Sequence, residues 1–429
     1  MIELASSADV QDTIRRYGGG GPRRIAENAG LVITHGEGNH LVDDRGRRYL
    51  DFATAMGVAA FGHGESRISR AIAAQASRLT ATVLHVPEQA AYLERLAGVL
   101  PAGLDRTALY SGGTEAVEVA VRLAQSVTGR RHFVSFTTGF HGKSTGLRYT
   151  GERYAAEREW LGIDWVHSVP YPECREHDAV DYPTCEDAGE AALRELDSLA
   201  ATLDGGLAAV IVEPILGTAG NRPPQRRFLE RLRTLTRERG WLLILDESIT
   251  GMGRLGRLFA AEWFGVDPDI LILGKAVGGG FPLSGVATGS DLWDRSLFAE
   301  LSATSSSYGA NPLACAAGMA VLDTIEEDDV LESVRRTGAR MAAGLRQLAE
   351  ASPYVRLPRG VGLMLGFDIV DPATGALADA ALSQRMFLRI LERGLLIAQV
   401  PGVRLNAPLT LTDAEAETAL GALHDALCE

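Results

Sequence analysis

The spacing of apolar and polar positions changes three times along the 429-residue chain. The polar stretch to Asn28, with Gly18 to Gly21 and Pro22, predicts a flexible approach and no regular element. From Leu31 to Phe52, short apolar pieces (Leu31-Val32-Ile33, Leu41-Val42, Tyr49-Leu50) alternate with Gly36, Gly38 and the turn Asp43-Asp44-Arg45-Gly46, the pattern of a small antiparallel sheet. In the middle of the chain, compact apolar runs at Ala208–Val212, Trp241–Leu245 and Asp269–Leu273 alternate with amphipathic segments of helix length. A strand buried on both faces needs such a run, so this region predicts a mainly parallel sheet sandwiched by helices. Beyond Asn311-Pro312 the pattern becomes mostly helical, with short strands expected at Val361–Ile369 and Gly394–Ala398 and a last helix from Asp413. The chain is therefore expected to be α/β, with a large domain over 56–312. A smaller α+β domain is expected to form from both termini, 1–55 and 313–429, because neither end has enough strands for a sheet of its own.

Composition adds exclusions. The chain is 46% hydrophobic and 23% charged, enough apolar material for a large core. Its 42 basic and 55 acidic residues leave a net charge of −13, which disfavours a nucleic acid partner. Cys174, Cys185, Cys315 and Cys428 are too scattered for a disulfide framework or a zinc knuckle, and none of the nine histidines is spaced as a ligand pair, so no metal site is expected. No run reaches the roughly 18 apolar residues of a membrane span, and Met1 to Arg16 has no signal-type apolar core. A cytoplasmic protein without a membrane partner is expected.

In an open parallel sheet ligands sit at the carboxyl ends of strands, so polar residues that follow apolar runs are the candidates. After Ala108-Leu109-Tyr110 comes Ser111-Gly112-Gly113-Thr114-Glu115 and a helical pattern; open N–H groups there suit an anion such as a phosphate at Gly113 and Thr114, or a helix capped by Ser111 or Thr114. Trp241–Leu245 runs into Asp246-Glu247, a strand-end carboxylate that needs a protonated heterocycle, an arginine or a metal, unless it is an exposed turn acid. Ile270–Leu273 leads through Gly274 to Lys275 and a glycine-rich loop; a lysine there loses its proton more easily than a solvated one and suits Schiff-base chemistry. Thr138-Gly139-Phe140-His141-Gly142 offers an aromatic ring for stacking on a flat ligand, or for plain core packing.

In this order and spacing the four motifs resemble the class III aminotransferases, which use pyridoxal 5'-phosphate (PLP) and have PLP fold type I. The likeness spans Asn39–Asp43, Arg48–Phe52, Glu213-Pro214, Gly251–Arg254, Tyr308–Pro312 and Arg404, and is densest from Leu242 to Pro282. It implies that Lys275 forms the Schiff base and shuttles protons, and that Asp246 pairs with the pyridine nitrogen and so makes the ring an electron sink. It further implies that Phe140 stacks on the ring with His141 beside it, and that Gly113 and Thr114 bind the phosphate. Ser307 would reach the phosphate of a neighbouring subunit, which implies a homodimer with shared active sites, and Arg404 would receive a substrate carboxylate.

Departures from the family pattern qualify this. Ser248 stands where many relatives have a valine under the ring, and Ile249 replaces a glutamine that touches the cofactor's phenolic oxygen. Thr218 replaces a glutamate that in several relatives neutralises the carboxylate-binding arginine, which argues for carboxylate-bearing substrates. Gly62–Ser66 also differs from the usual Gly-His-x-His-Pro. A decarboxylase of dialkylglycine type shares the Ile215-Leu216 context, but Met56 stands where that enzyme carries a glutamine; an epimerase or aminomutase would use the same lysine. A non-catalytic protein of this fold would have no need of both Lys275 and Asp246. The stretch Tyr154–Asp187 is the candidate specificity loop.

Overall fold

The computed structural model describes residues 7–19, 24–64, 66–144, 159–173, 179–180, 189–225, 227–400 and 402–428. Its central sheet has seven strands in the order Arg106–Tyr110, Ser284–Thr288, Ile270–Leu273, Leu242–Asp246, Leu207–Val212, His132–Phe136 and Val166–Val169. Only Ser284–Thr288 runs against the rest. All six side chains of Leu207–Val212 are buried, as a strand covered on both faces requires.

Side chains of these strands alternate between two cores. Ile244, Ile270 and Ile272 pack with Ala116, Val117, Ala120, Val121 and Ala124, the apolar stripe of the helix Gly113–Thr128. Leu243, Leu245, Leu271 and Leu273 face the opposite side and pack with Phe228, Leu229 and Leu232 of the helix Phe228–Arg239. Each such Leu or Ile contributes roughly 1.5–3 kcal/mol by leaving water. Because the sheet is held from both faces, the loops at its strand ends are presented by a rigid frame.

Two smaller sheets flank it. One has the order Ala398–Val400, Gly402–Asn406, Met364–Ile369, Val355–Val361 and Ala179–Val180; the other joins Ile33–Glu37, His40–Asp43 and Arg48–Asp51 to Leu395–Leu396. In the latter, Leu395 pairs in parallel with Leu50, so segments from the two ends of the chain share one sheet. No described helix is long and apolar enough to cross a membrane.

Three expectations from the pattern are corrected. The N-terminal approach holds two helices, Ser7–Tyr17 and Arg24–Ala29, linked by the Arg15–Glu27 ion pair; they bury little, so the apolar spacing did not reveal them. The first strand starts at Ile33 and runs through Gly36, where a Cβ would lie 2.3 Å from that of His63, so glycine here permits close packing inside a strand. The strand expected at Val361–Ile369 is the turn and second strand, Met364–Ile369, of a hairpin: Val355–Val361 precedes it, its alternation masked by Arg356, Pro358 and Arg359, and Gly362 lies in the turn at a φ of 57°.

Candidate functional site

The carboxyl ends of five central strands converge on a cavity of about 310 Å³. Gly113 and Thr114 reach it from the helix after Arg106–Tyr110, Phe140 and His141 from the loop after His132–Phe136, Glu213 from Leu207–Val212, Asp246 from its own strand end, and Lys275 from Ile270–Leu273. Ser248 and Ile249 line it as well. The cavity thus brings together eight of the ten candidate residues.

Asp246 is buried at 5% exposure, which excludes a solvated turn acid. Its Oδ2 accepts from His141 Nδ1 at 2.8 Å, and its Oδ1 accepts from the Ser248 hydroxyl at 2.6 Å and the Ser248 N–H at 3.1 Å. Burial pushes this carboxyl upward, but the His141 hydrogen bond and charge, the Lys275 charge and the Ser248 hydroxyl outweigh it and hold it below its ordinary value. It stays ionised. Ser248, a departure from the family pattern, therefore contributes to keeping Asp246 charged.

Lys275 leaves its strand with a φ of 48°, a left-handed conformation that a non-glycine residue adopts at a cost of about 1–3 kcal/mol and only where the surroundings enforce it. Its amine opens onto the cavity but is otherwise enclosed, and that desolvation lowers its pKa; Asp246 and Glu213 oppose the shift and Arg404 adds to it. The balance favours the neutral, nucleophilic amine more than at a solvated lysine.

The helix Gly113–Thr128 begins at Gly112 without a side-chain cap, so neither Ser111 nor Thr114 caps it. A Cβ on Gly113 would meet only Ser248 Oγ, at 3.9 Å, leaving the approach to the first backbone N–H groups open. An uncapped helix N-terminus on a cavity wall is an anion site.

Arg404 and Ser307 lie outside the cavity lining. Ser307 is exposed on the loop before Asn311. Arg404 sits on Gly402–Asn406 in the five-stranded sheet, 3% exposed, and its charge is felt by Lys275. The link between them is Gly57, where a Cβ would stand 3.6 Å from Lys275 Cδ, next to Met56, whose Sδ is 3.9 Å from Arg404 Nη1.

In the sequence Glu213 stands out only as part of the family likeness. The structure makes it a wall of the cavity, buried, with Oε1 accepting from Phe140 N–H at 2.8 Å and Oε2 from Gly217 N–H at 2.9 Å, so it fixes the loop that carries Phe140. Desolvation raises its pKa, with Asp246 adding to the shift while His141 and the two backbone N–H groups oppose it. The signal was present: Glu213 follows an apolar run as Asp246 does. Of the candidate specificity loop, half of the residues lie outside the described ones; Trp160 is exposed, and Tyr171 is buried against Phe136 and Phe228.

The donor set fits PLP. An uncapped helix start matches its phosphate, an ionised buried Asp246 matches a protonated pyridine nitrogen, and Lys275 matches its aldehyde. Comparison with known proteins agrees. The class III aminotransferase family profile matches residues 23–427. The chain is 38% identical to the [LysW]-aminoadipate semialdehyde transaminase of Deinococcus radiodurans over 344 residues, 80% of this chain and 74% of that protein. It is 32% identical to a 5-aminovalerate aminotransferase of Pseudomonas aeruginosa over 422 residues, 95% and 96% of the two chains. A PLP-bound amine transaminase from an uncultivated Pseudomonas species superposes with a TM-score of 0.85 at 30% identity, covering 96% of this chain and 97% of that one. The chain belongs to the class III aminotransferases, and its cofactor is pyridoxal 5'-phosphate.

Proposed function

We propose that this enzyme moves an amino group from a carboxylate-bearing primary amine to a keto acid or aldehyde, with Lys275 as the Schiff-base lysine. The observation that carries the reading is the juxtaposition, at neighbouring strand ends, of an amine with a lowered pKa and a carboxylate held ionised. Bound PLP supplies an electron sink for the bonds at the amine-bearing carbon.

The protein's part follows from its own groups. Asp246, oriented by His141 and Ser248, holds the proton on the pyridine nitrogen. Gly113 and Thr114 bind the phosphate at the helix start, and Phe140, on a loop pinned by Glu213, stacks on the ring. Ser248 and Ile249 complete the cavity wall beside them. Lys275 Nζ takes a proton from the amine-bearing carbon of the donor and returns one in the second half of the cycle. Arg404 receives the donor's carboxylate through its planar guanidinium. The relatives named for 5-aminovalerate and aminoadipate semialdehyde support a terminal amine on a chain that ends in an acid.

We also place Ser307 at the neighbouring active site of a homodimer. Its exposure, beside Tyr308 at 70% and near Leu301 at 99%, supports a loop that another subunit covers. Light scattering on the purified protein checks the mass.

The test of the main reading is the visible spectrum of the protein with PLP, before and after a panel of amino acids and diamines, beside Lys275→Ala. A band that requires Lys275, and that one amine removes with release of a carbonyl product, is expected. Consumption of the amine with release of carbon dioxide, or with no carbonyl product, would overturn transamination.

A further inference from the structure

Arg404 is a buried cation without a counter-ion among the described residues. Its Nε has no hydrogen-bond partner, and the polar contact recorded for its guanidinium is the uncharged thioether of Met56, 3.9 Å from Nη1. Burial pushes the guanidinium down to about 10; Glu213 opposes that shift from a distance but forms no ion pair with it, its two oxygens being engaged with the Phe140 and Gly217 N–H groups. A lone buried charge is costly, so a fold that keeps one has left a place for its partner.

Met56 reaches this position on a backbone that L-residues rarely adopt. Thr54, Ala55 and Met56 have φ values of 43°, 48° and 65°, and Gly57 follows at 93°. Left-handed backbone is unfavourable for a non-glycine residue, and Thr54 is β-branched, the least suited kind. The turn is nevertheless pinned. Asp51 Oδ1 accepts from the N–H groups of Ala53 at 2.9 Å and Thr54 at 2.8 Å, while His63 Nε2 holds Oδ2 at 3.0 Å. The Thr54 hydroxyl donates to the carbonyl of Asn406 at 2.9 Å, two residues beyond Arg404 on the same strand. The strained turn and the arginine are thus fastened to each other. Beyond Met56 lies a mainly apolar pocket lined by Ile25, Leu31, Ile33, Leu41 and Leu396, so a charge does not approach Arg404 from that side; Asp51 and His63 in its wall are spent on the turn.

We infer that Met56 is a specificity-determining residue: the left-handed turn sets its thioether where a counter-ion to Arg404 would stand, which keeps the guanidinium unpaired for a substrate carboxylate. The inference rests on the reading of Arg404 as the carboxylate site. It acts in both directions. A carboxylate-bearing amine gains an ion pair with no internal partner to displace, and an amine without a carboxylate leaves the buried cation uncompensated.

The experiment uses the PLP-loaded enzyme and two amines with the same carbon chain, 5-aminovalerate and pentylamine. Each is titrated alone, with no keto acid present, and the loss of the visible band gives its half-saturating concentration. Valerate, which has no amine, is titrated by calorimetry as a measure that needs no turnover. Wild type is expected to prefer 5-aminovalerate and to bind valerate. Met56→Glu should cut the preference about tenfold or more and weaken valerate correspondingly. Met56→Gln, a neutral acceptor that also serves if the glutamate variant does not fold, should fall between, and Met56→Leu should keep the preference. If wild type shows the preference and Met56→Glu retains it, or Met56→Leu loses it as fully, the role of Met56 is overturned while Arg404 stands. If wild type converts both amines equally and does not bind valerate, the carboxylate role of Arg404 falls first and this inference with it.

Discussion

Arg359 and Arg404 lie in the same five-stranded sheet, 2% and 3% exposed, and burial pushes each guanidinium down to about 10. Their surroundings differ. Arg359 donates to Asp368 at 2.9 Å, to the Gly220 carbonyl at 2.8 Å and to the Leu357 carbonyl at 3.0 Å, and Arg222 closes the cluster by binding Asp368 and Glu173. Arg404 meets a thioether. Equal burial with opposite compensation separates a charge that holds the fold together from one kept for a ligand, and burial alone would not have told them apart.

Removing each charge tests the contrast. Arg359→Met leaves Asp368 short of a partner and strands two carbonyls, and is expected to lower unfolding stability by about 3 kcal/mol in denaturant titrations at fixed PLP. Arg404→Met should do the reverse: stability within about 1 kcal/mol of wild type or above it, and carboxylate affinity weaker by about 2 kcal/mol, roughly 30-fold. Equal destabilisation by both variants would break the comparison.

Glu247 shows a third way to bury a charge, which is to neutralise it. It is the immediate neighbour of Asp246 but points away from the cavity, accepting from Ala260 N–H at 2.6 Å, Ala261 N–H at 2.8 Å and the Thr250 hydroxyl at 3.1 Å. Among the described residues no cation pairs with it, and burial raises it to about 7 from an ordinary 4.5. The folded state therefore binds a proton that the unfolded state has released, so the group's stabilising contribution is full below pH 4.5 and is lost as pH rises through about 7. Glu247→Gln should remove that decline, roughly 1 kcal/mol between pH 6 and 7, the smallest effect of the three, read as the difference in unfolding free energy between the two pH values.

Much of the site was visible in the order of residues. Strands buried on both faces must be apolar throughout, so Thr114, Asp246 and Lys275 stand out as polar residues that follow such runs, and Phe140 and His141 follow in a glycine turn. Glu213, directly after Ala208–Val212, obeys the same logic. The Thr54–Gly57 turn is not legible in the sequence, because nothing in Thr-Ala-Met announces left-handed backbone; hydrogen bonds donated to Asp51 and to the carbonyl of Asn406, 352 residues away from Thr54, impose it.

The sequence by itself determined the alternation of strands and helices, and with it which residues reach the strand ends, because that depends on the local pattern of apolar positions. Only the tertiary structure decided how charge is shared among them. His141, 105 residues from Asp246, holds one carboxylate of the Asp246-Glu247 pair ionised while its neighbour, facing two backbone N–H groups and a hydroxyl, is pushed toward its neutral form. Asp368 pairs with Arg359, and Arg404 meets the Met56 thioether with no ion-pair partner among the described residues. The energy of a buried charge depends on what lies within a few ångströms of it, and those neighbours come from strands that are distant in sequence.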